Sequence, residues 1–304
     1  MKYFFQKNIV FLIKLIVSLS FLVFIFSKID IADVLVRLLS ADLRYIIYAI
    51  LFINIVILIS SMRWRKLVNS TLASPIKHWE SYQINLVASF FNLLSPGRIF
   101  GDAYRAYYIY KLNNNTSISI IPLIMDRFFI FGSTIGIGCI SIFWMSDSLL
   151  ETVLPQTLIG ILSFGIVSMP IILWFRPYNN LNFLKEFYEY IDILTTNKSI
   201  IFYCLALSIL MILALVGFFW SLVLSLGLIV EFKATFIILV LTILISSIPI
   251  TISGLGLRDS ILILLLSHEG VSAIDAITLS LLWYGLFIFS SLPGLVLFFY
   301  RKSA

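Results

Sequence analysis

The chain has 304 residues, of which 61% are hydrophobic and 12% charged, with a mean hydropathy of +1.07 and a formal net charge of +6. Soluble domains usually carry about 25% charge, so a chain this apolar has too little polar surface for solution. The composition excludes an ordinary soluble globule and predicts an all-α polytopic membrane protein.

From the N-terminus, Lys2 and Lys7 precede an apolar run over 9–26, which imitates a signal peptide. The run is long enough to span, and no small-residue cleavage site follows, so it reads as a retained first helix. Further spans of about 20 apolar residues are predicted over 45–62, 117–145, 154–175, 200–230 and 276–300. Trp64, Trp144, Trp174 and Tyr300 fall at span ends, where amphipathic rings settle at headgroup level. Two connecting segments carry helical apolar spacing: Ile31, Val34, Leu35, Leu38 and Leu39, then Phe183, Phe187, Tyr190, Ile191 and Leu194. Each fits a helix lying in the interface plane or an ordinary loop helix. Cys139 and Cys204 sit inside apolar runs and read as packing residues. With only His78 and His268, no Cys/His metal spacing exists; no metal or other cofactor is expected.

Two apolar stretches are interrupted. The stretch 79–97 carries Glu80, Gln83, Asn85 and Asn92 and runs into Pro96, Gly97 and Arg98, then Gly101, Asp102 and Arg105. The stretch 234–257 ends in Pro249, Gly254 and Gly256, followed by Arg258 and Asp259. Gly97 and Gly254 are 157 residues apart, as are Asp102 and Asp259. Every backbone N–H and C=O in hydrocarbon needs a partner, so a helix breaks there only where protein or water satisfies it. Pro removes a donor, and Gly favours non-helical geometry. A helix start exposed by such a break attracts anions, and an adjacent Arg adds a planar fork suited to phosphate. Paired interrupted segments in two halves of a membrane protein point to a transport site. The competing reading makes both segments turns in which Arg and Asp neutralise each other. Asp126-Arg127, a third of the way along 117–145, is either a structural pair or a further charge on the same cavity. Lys14 snorkels or pairs with an acid.

With the N-terminus inside and 79–111 re-entrant, the inside holds twelve Lys and Arg, Arg63 among them, and the outside four. The predicted topology is about six full transmembrane helices plus two re-entrant broken-helix segments, with both termini inside. It forms one integral membrane domain over 1–304 with candidate halves 1–153 and 154–304; an inverted repeat is one arrangement of these halves. The basic bias suits anionic lipid headgroups and not nucleic acid.

Three elements carry a resemblance: Arg63-Trp64; Asn92 through Arg98 with Gly101, Asp102, Arg105 and later Asp126-Arg127; and Pro249 through Ser253-Gly254-Leu255-Gly256-Leu257-Arg258-Asp259. With these the chain resembles, over nearly its whole length, the flippase-like integral membrane family that includes the transmembrane domain of lysylphosphatidylglycerol synthase. Phe100 stands where that family often has a second glycine, and Asp259 where Glu is common. The resemblance implies binding or moving a lipid with an anionic headgroup, a phospholipid or a polyprenyl-phosphate-linked lipid, in a bacterial or archaeal cytoplasmic membrane. The family domain is thought to flip aminoacylated phosphatidylglycerol, while relatives occur with glycolipid and polysaccharide pathways, so the substrate does not carry over. The chain ends at Ala304 without a soluble aminoacyl-transferring domain and is not expected to make lysyl lipid by itself.

The expected function is that of a lipid flippase or scramblase, transporter-like and not an enzyme. Arg98, Arg105 and Arg258 engage the phosphate, Asp102 and Asp259 orient them, and Asp126 and Arg127 border the same site. No Gly-Lys-Ser/Thr phosphate loop is present, so uphill movement needs a gradient or a coupled partner. The alternatives are a polyprenyl- or lipid-linked glycosyltransferase, with Asp30 and Asp33 as candidate metal ligands, a subunit that presents lipid to a synthase partner, and a small-solute transporter. A homo-oligomer is compatible with any of them.

Overall fold

A computed structural model describes residues 31–93, 95, 99–142, 182–246 and 256–302. The expected spans 9–26 and 154–175, Lys14, Trp144, Trp174, and the break residues Pro96, Gly97, Arg98, Pro249 and Gly254 lie outside them. Among the described residues all regular structure is helical: α1 (Ile31–Leu39), α2 (Leu43–Val68), α3 (His78–Leu93), α4 (Ile99–Asn113), α5 (Thr116–Ile142), α6 (Asn182–Thr196), α7 (Lys198–Ser225), α8 (Phe232–Ser246), α9 (Leu257–Ser267) and α10 (Ala273–Lys302).

Length separates the helices into two kinds. α2, α5, α7 and α10 are long and apolar enough to cross a bilayer. α3, α4, α8 and α9 have 16, 15, 15 and 11 residues. At 1.5 Å per residue they reach roughly 17–24 Å, short of the ~30 Å hydrocarbon core. They come as two pairs, one on each side of an interrupted segment. In the first pair Gly101 lies against Asn92, Arg105 against Asn85, and Tyr108 reaches Glu80, so α4 runs back antiparallel along α3.

Local chemistry sets the helix ends. Asp42 caps α2, its carboxylate accepting the Arg44 N–H at 2.9 Å, and the hydrogen-bonded Arg44 side chain holds that carboxyl below its ordinary value. α7 stops at Ser225, earlier than the apolar run suggests, because Gly227 turns left-handed (φ 63°) and Leu228 N–H returns to the Val223 carbonyl.

The packing is duplicated along the chain. A shift of 157 residues carries the first residues of α2, α3, α4 and α5 to within about three residues of those of α7, α8, α9 and α10. The contacts follow the same rule. α3 packs on α10 as α8 packs on α5; α1 meets α10 as α6 meets α5; α4 lies on α5 as α9 lies on α10. α2 and α7, the two members of one such pair, share the most extensive interface among the described helices. The largest apolar core joins Ile53, Phe218, Phe219, Ile238, Leu262 and Trp283.

Two expectations change here. Trp64 is not a ring exposed at the lipid boundary: it is fully buried with Val68, Ile84 and Ile109, because α2 continues to Val68 inside protein. The apolar stripe of α6 packs into the bundle, with Phe187, Tyr190 and Leu194 buried beside Leu67, Met125 and Cys204.

α3 and α10 approach almost backbone to backbone, and a Cβ built on Gly294 would stand 2.3 Å from the Leu86 carbonyl oxygen. Small residues allow such contact between membrane helices. Gly294→Ala is expected to destabilise the protein by about 1–3 kcal/mol through overpacking, whereas Gly136→Ala, with open space around its Cβ, is expected to be neutral or slightly stabilising. Thermal unfolding of the two variants in detergent, followed by gel filtration, makes the comparison.

Candidate functional site

The site begins with an arginine inside a spanning helix. Arg63, on α2, has no exposed surface. Its Nε donates to Asp126 Oδ1 on α5 at 2.7 Å, and Nη1 donates to Ser208 Oγ on α7 at 3.0 Å. An isolated charge at this depth costs several kcal/mol, so pairing is a condition for the residue being there. The other oxygen of Asp126 faces Arg105 Nη1 on α4 at 3.5 Å, and the same nitrogen donates to Asn85 Oδ1 at 3.2 Å. Arg105 also contacts Asp102, one helical turn earlier, and Arg127 on α5 donates through Nε to Asp102 Oδ2 at 3.1 Å. The result is a ladder, Arg63–Asp126–Arg105–Asp102–Arg127, with three arginines, two aspartates and hence one excess positive charge. The Trp64 ring lies 5.7 Å from the Arg105 guanidinium.

The ladder decides how Asp126-Arg127 is used. Neighbouring residues on a helix do not face each other, and these two do not pair: Asp126 serves Arg63 and Arg105, while Arg127 serves Asp102. Arg63 is likewise not an inner-loop charge, as the sequence tally has it. It sits in the bundle because α2 extends past the apolar run, and α5 supplies its carboxylate.

The second break provides one further arginine. Gly256 has φ 82°, a backbone open to glycine, and its N–H donates to Asp259 Oδ2 at 2.9 Å at the start of α9. Asp259 Oδ1 accepts from Arg258 Nη2 at 3.2 Å and also from the Ser280 hydroxyl. Arg258 Nη2 donates to Ser280 Oγ at 2.7 Å as well. The guanidinium centre stands 4.5 Å from the Tyr284 ring centroid and 5.3 Å from that of Trp283. Arg258 is 6% exposed, and among the described residues its hydrogen bonds all leave from Nη2; Nε has no partner.

Both groups border one cavity of about 310 Å³, with Arg105, Asp126 and Arg127 on one wall and Arg258 and Trp283 on the other. Ser89 and Ser246 also line it, and they are 157 residues apart. Of the residues singled out in the sequence, Asp102 and Asp259 hold the arginines from behind, and Gly101 lets α4 close on α3, since a Cβ there would lie 2.1 Å from the Ala88 carbonyl oxygen. Arg98, Pro96, Gly97, Pro249 and Gly254 are outside the described residues. Arg63, read from the sequence as part of the Arg63-Trp64 element and as an inside charge but not as a site residue, and Ser208, not singled out at all, join the site. A permanently charged residue five positions before the end of a spanning helix was the available signal for Arg63; Ser208, an isolated hydroxyl in an apolar helix, gives none.

Apolar helices long enough to span a bilayer, packed around a buried, charged cavity, define an integral membrane protein. The chain belongs to the family described as the lysylphosphatidylglycerol synthase transmembrane region, which matches residues 11–294. Comparison with curated proteins gives no match.

Asp126→Ala leaves Arg63 buried without its carboxylate and is expected to cost about 3–5 kcal/mol, removing most of the monodisperse protein recovered from membranes. Asp102→Ala, at a quarter-exposed carboxylate (22%), is expected to cost clearly less. Yield and thermal midpoint of the two purified variants test the order.

Proposed function

We propose that this membrane protein binds a lipid with an anionic, phosphate-bearing headgroup and moves it between leaflets. The observation that supports this reading is the convergence of arginines from both halves of the chain on a single cavity, two of them, Arg105 and Arg258, each with a buried Nε–H left unpartnered. A phosphate accepts such donors in charge-assisted hydrogen bonds. The excess positive charge of the ladder favours an anion over a cation, and the acyl chains stay in the bilayer while the headgroup follows the polar interior. In this reading the two halves are inverted copies, and the cavity lies where their broken helices meet. Asp102 and Asp259 act as positioning residues, keeping Arg105, Arg127 and Arg258 aimed and charged. Membership of the family supports a lipid-related role and leaves the lipid open.

The test is leaflet exchange of headgroup-labelled phosphatidylglycerol in liposomes containing the purified protein. Loss of one charge-assisted contact in Arg258→Ala or Arg127→Ala is expected to slow exchange by roughly ten- to hundredfold with the protein still folded. Full exchange by both variants would show that the cavity is not the headgroup path.

A further inference from the structure

A smaller cavity of about 90 Å³ adjoins the central one. It is a cleft between α3 and α10, bounded by Ser89, Asn92, Leu93, Tyr284 and Phe287, and Arg258 lines both spaces. All five wall residues are half-buried. On the adjoining flank of α10, Ile288 and Leu292 are each 43% exposed, so apolar surface continues outward from the cleft. The chemistry therefore grades from apolar outside, through Ser89 and Asn92, to a guanidinium at the base. Tyr284 and Trp283 lie close to the guanidinium centre, and its unpartnered Nε–H lies in its own plane.

We infer that the α3–α10 cleft is the side entrance through which a phospholipid headgroup reaches the central cavity, with Arg258 as its first charged contact. This rests on the anionic-lipid reading of the site and adds the route. A phospholipid matches both parts of the gradient. Its phosphate takes the unpartnered Nε–H of Arg258, and its acyl chains lie against the exposed α10 flank at Ile288 and Leu292. The cleft also explains why Arg258 is held so firmly from one nitrogen: Asp259 and Ser280 fix its position while leaving its Nε–H for the ligand.

The experiment is photocrosslinking in native membranes. A benzophenone amino acid replaces Phe287 in the cleft or, as a reference for lipid around the protein, Phe289, exposed elsewhere on α10. After illumination, phospholipid adducts are measured by mass spectrometry. The expected result is an adduct at position 287 that falls roughly tenfold when Arg258→Ala removes the charged contact, is largely retained in Arg258→Lys, and has no counterpart change at position 289. Gel filtration of each variant establishes that it is folded; should Arg258→Ala fail to fold, Arg258→Gln takes its place. Adducts at 289 but none at 287 would overturn the entrance. An adduct at 287 indifferent to both Arg258→Ala and Arg258→Gln would overturn the role of the arginine. An Arg258-dependent adduct in a protein that exchanges no lipid between leaflets would uphold the entrance and defeat the translocation reading, so the two failures are distinguishable.

Discussion

The buried Arg63–Asp126 pair is the constraint around which the bundle is arranged. A guanidinium with no exposed surface inside a spanning helix requires a carboxylate at hydrogen-bonding distance, and α5 must therefore lie against α2 at that level. Ser208 commits α7 to the same level. Asp126 spends its second oxygen on Arg105, which belongs to the broken hairpin, and Arg105 in turn fixes Asp102 and Arg127. One ion pair thus positions two spanning helices and the α3–α4 hairpin relative to each other. Apolar packing alone would not set that register, because lipid tails compete with side chains for apolar contact.

The duplicated layout makes the cavity's asymmetry informative. A shift of 157 residues carries Asp126 and Arg127 onto Trp283 and Tyr284. The wall from the first half is an ionic ladder; the corresponding wall from the second half is a pair of aromatic rings beneath a single arginine. Similar scaffolds therefore present different chemistry to the same space. The ladder arginines bond to two aspartates, yet Arg63 Nη2 and Arg105 Nε, like Arg258 Nε, remain buried without a hydrogen-bond partner.

Long apolar runs made α2, α5, α7 and α10 legible in the sequence, because length and hydropathy are enough to identify a spanning helix. The interrupted segments stood out in the sequence through Pro and Gly, and their 157-residue spacing recurs in the starts of the described helices. Residues at the ends of apolar runs were not legible in the same way. Trp64 reads as an interfacial ring and Arg63 as a loop charge only if the helix stops where the apolar run does; it continues to Val68, and tertiary packing takes both inside. Pairing was also hidden. Asp126 and Arg127 are adjacent in the chain, but helical geometry turns them to different partners on α2 and α4. Ser208 became part of the site only through its distance to Arg63, which no pattern in α7 encodes.

The central claim is that arginines from the two halves of the chain share one anion. An electron cryomicroscopy map of the protein in nanodiscs of phosphatidylglycerol tests it most directly. The account predicts headgroup density in the central cavity, with phosphate within hydrogen-bonding reach of Arg258 on one wall and Arg127 on the other. Ordered lipid confined to the outer surface, with both arginines turned onto protein partners, would contradict it.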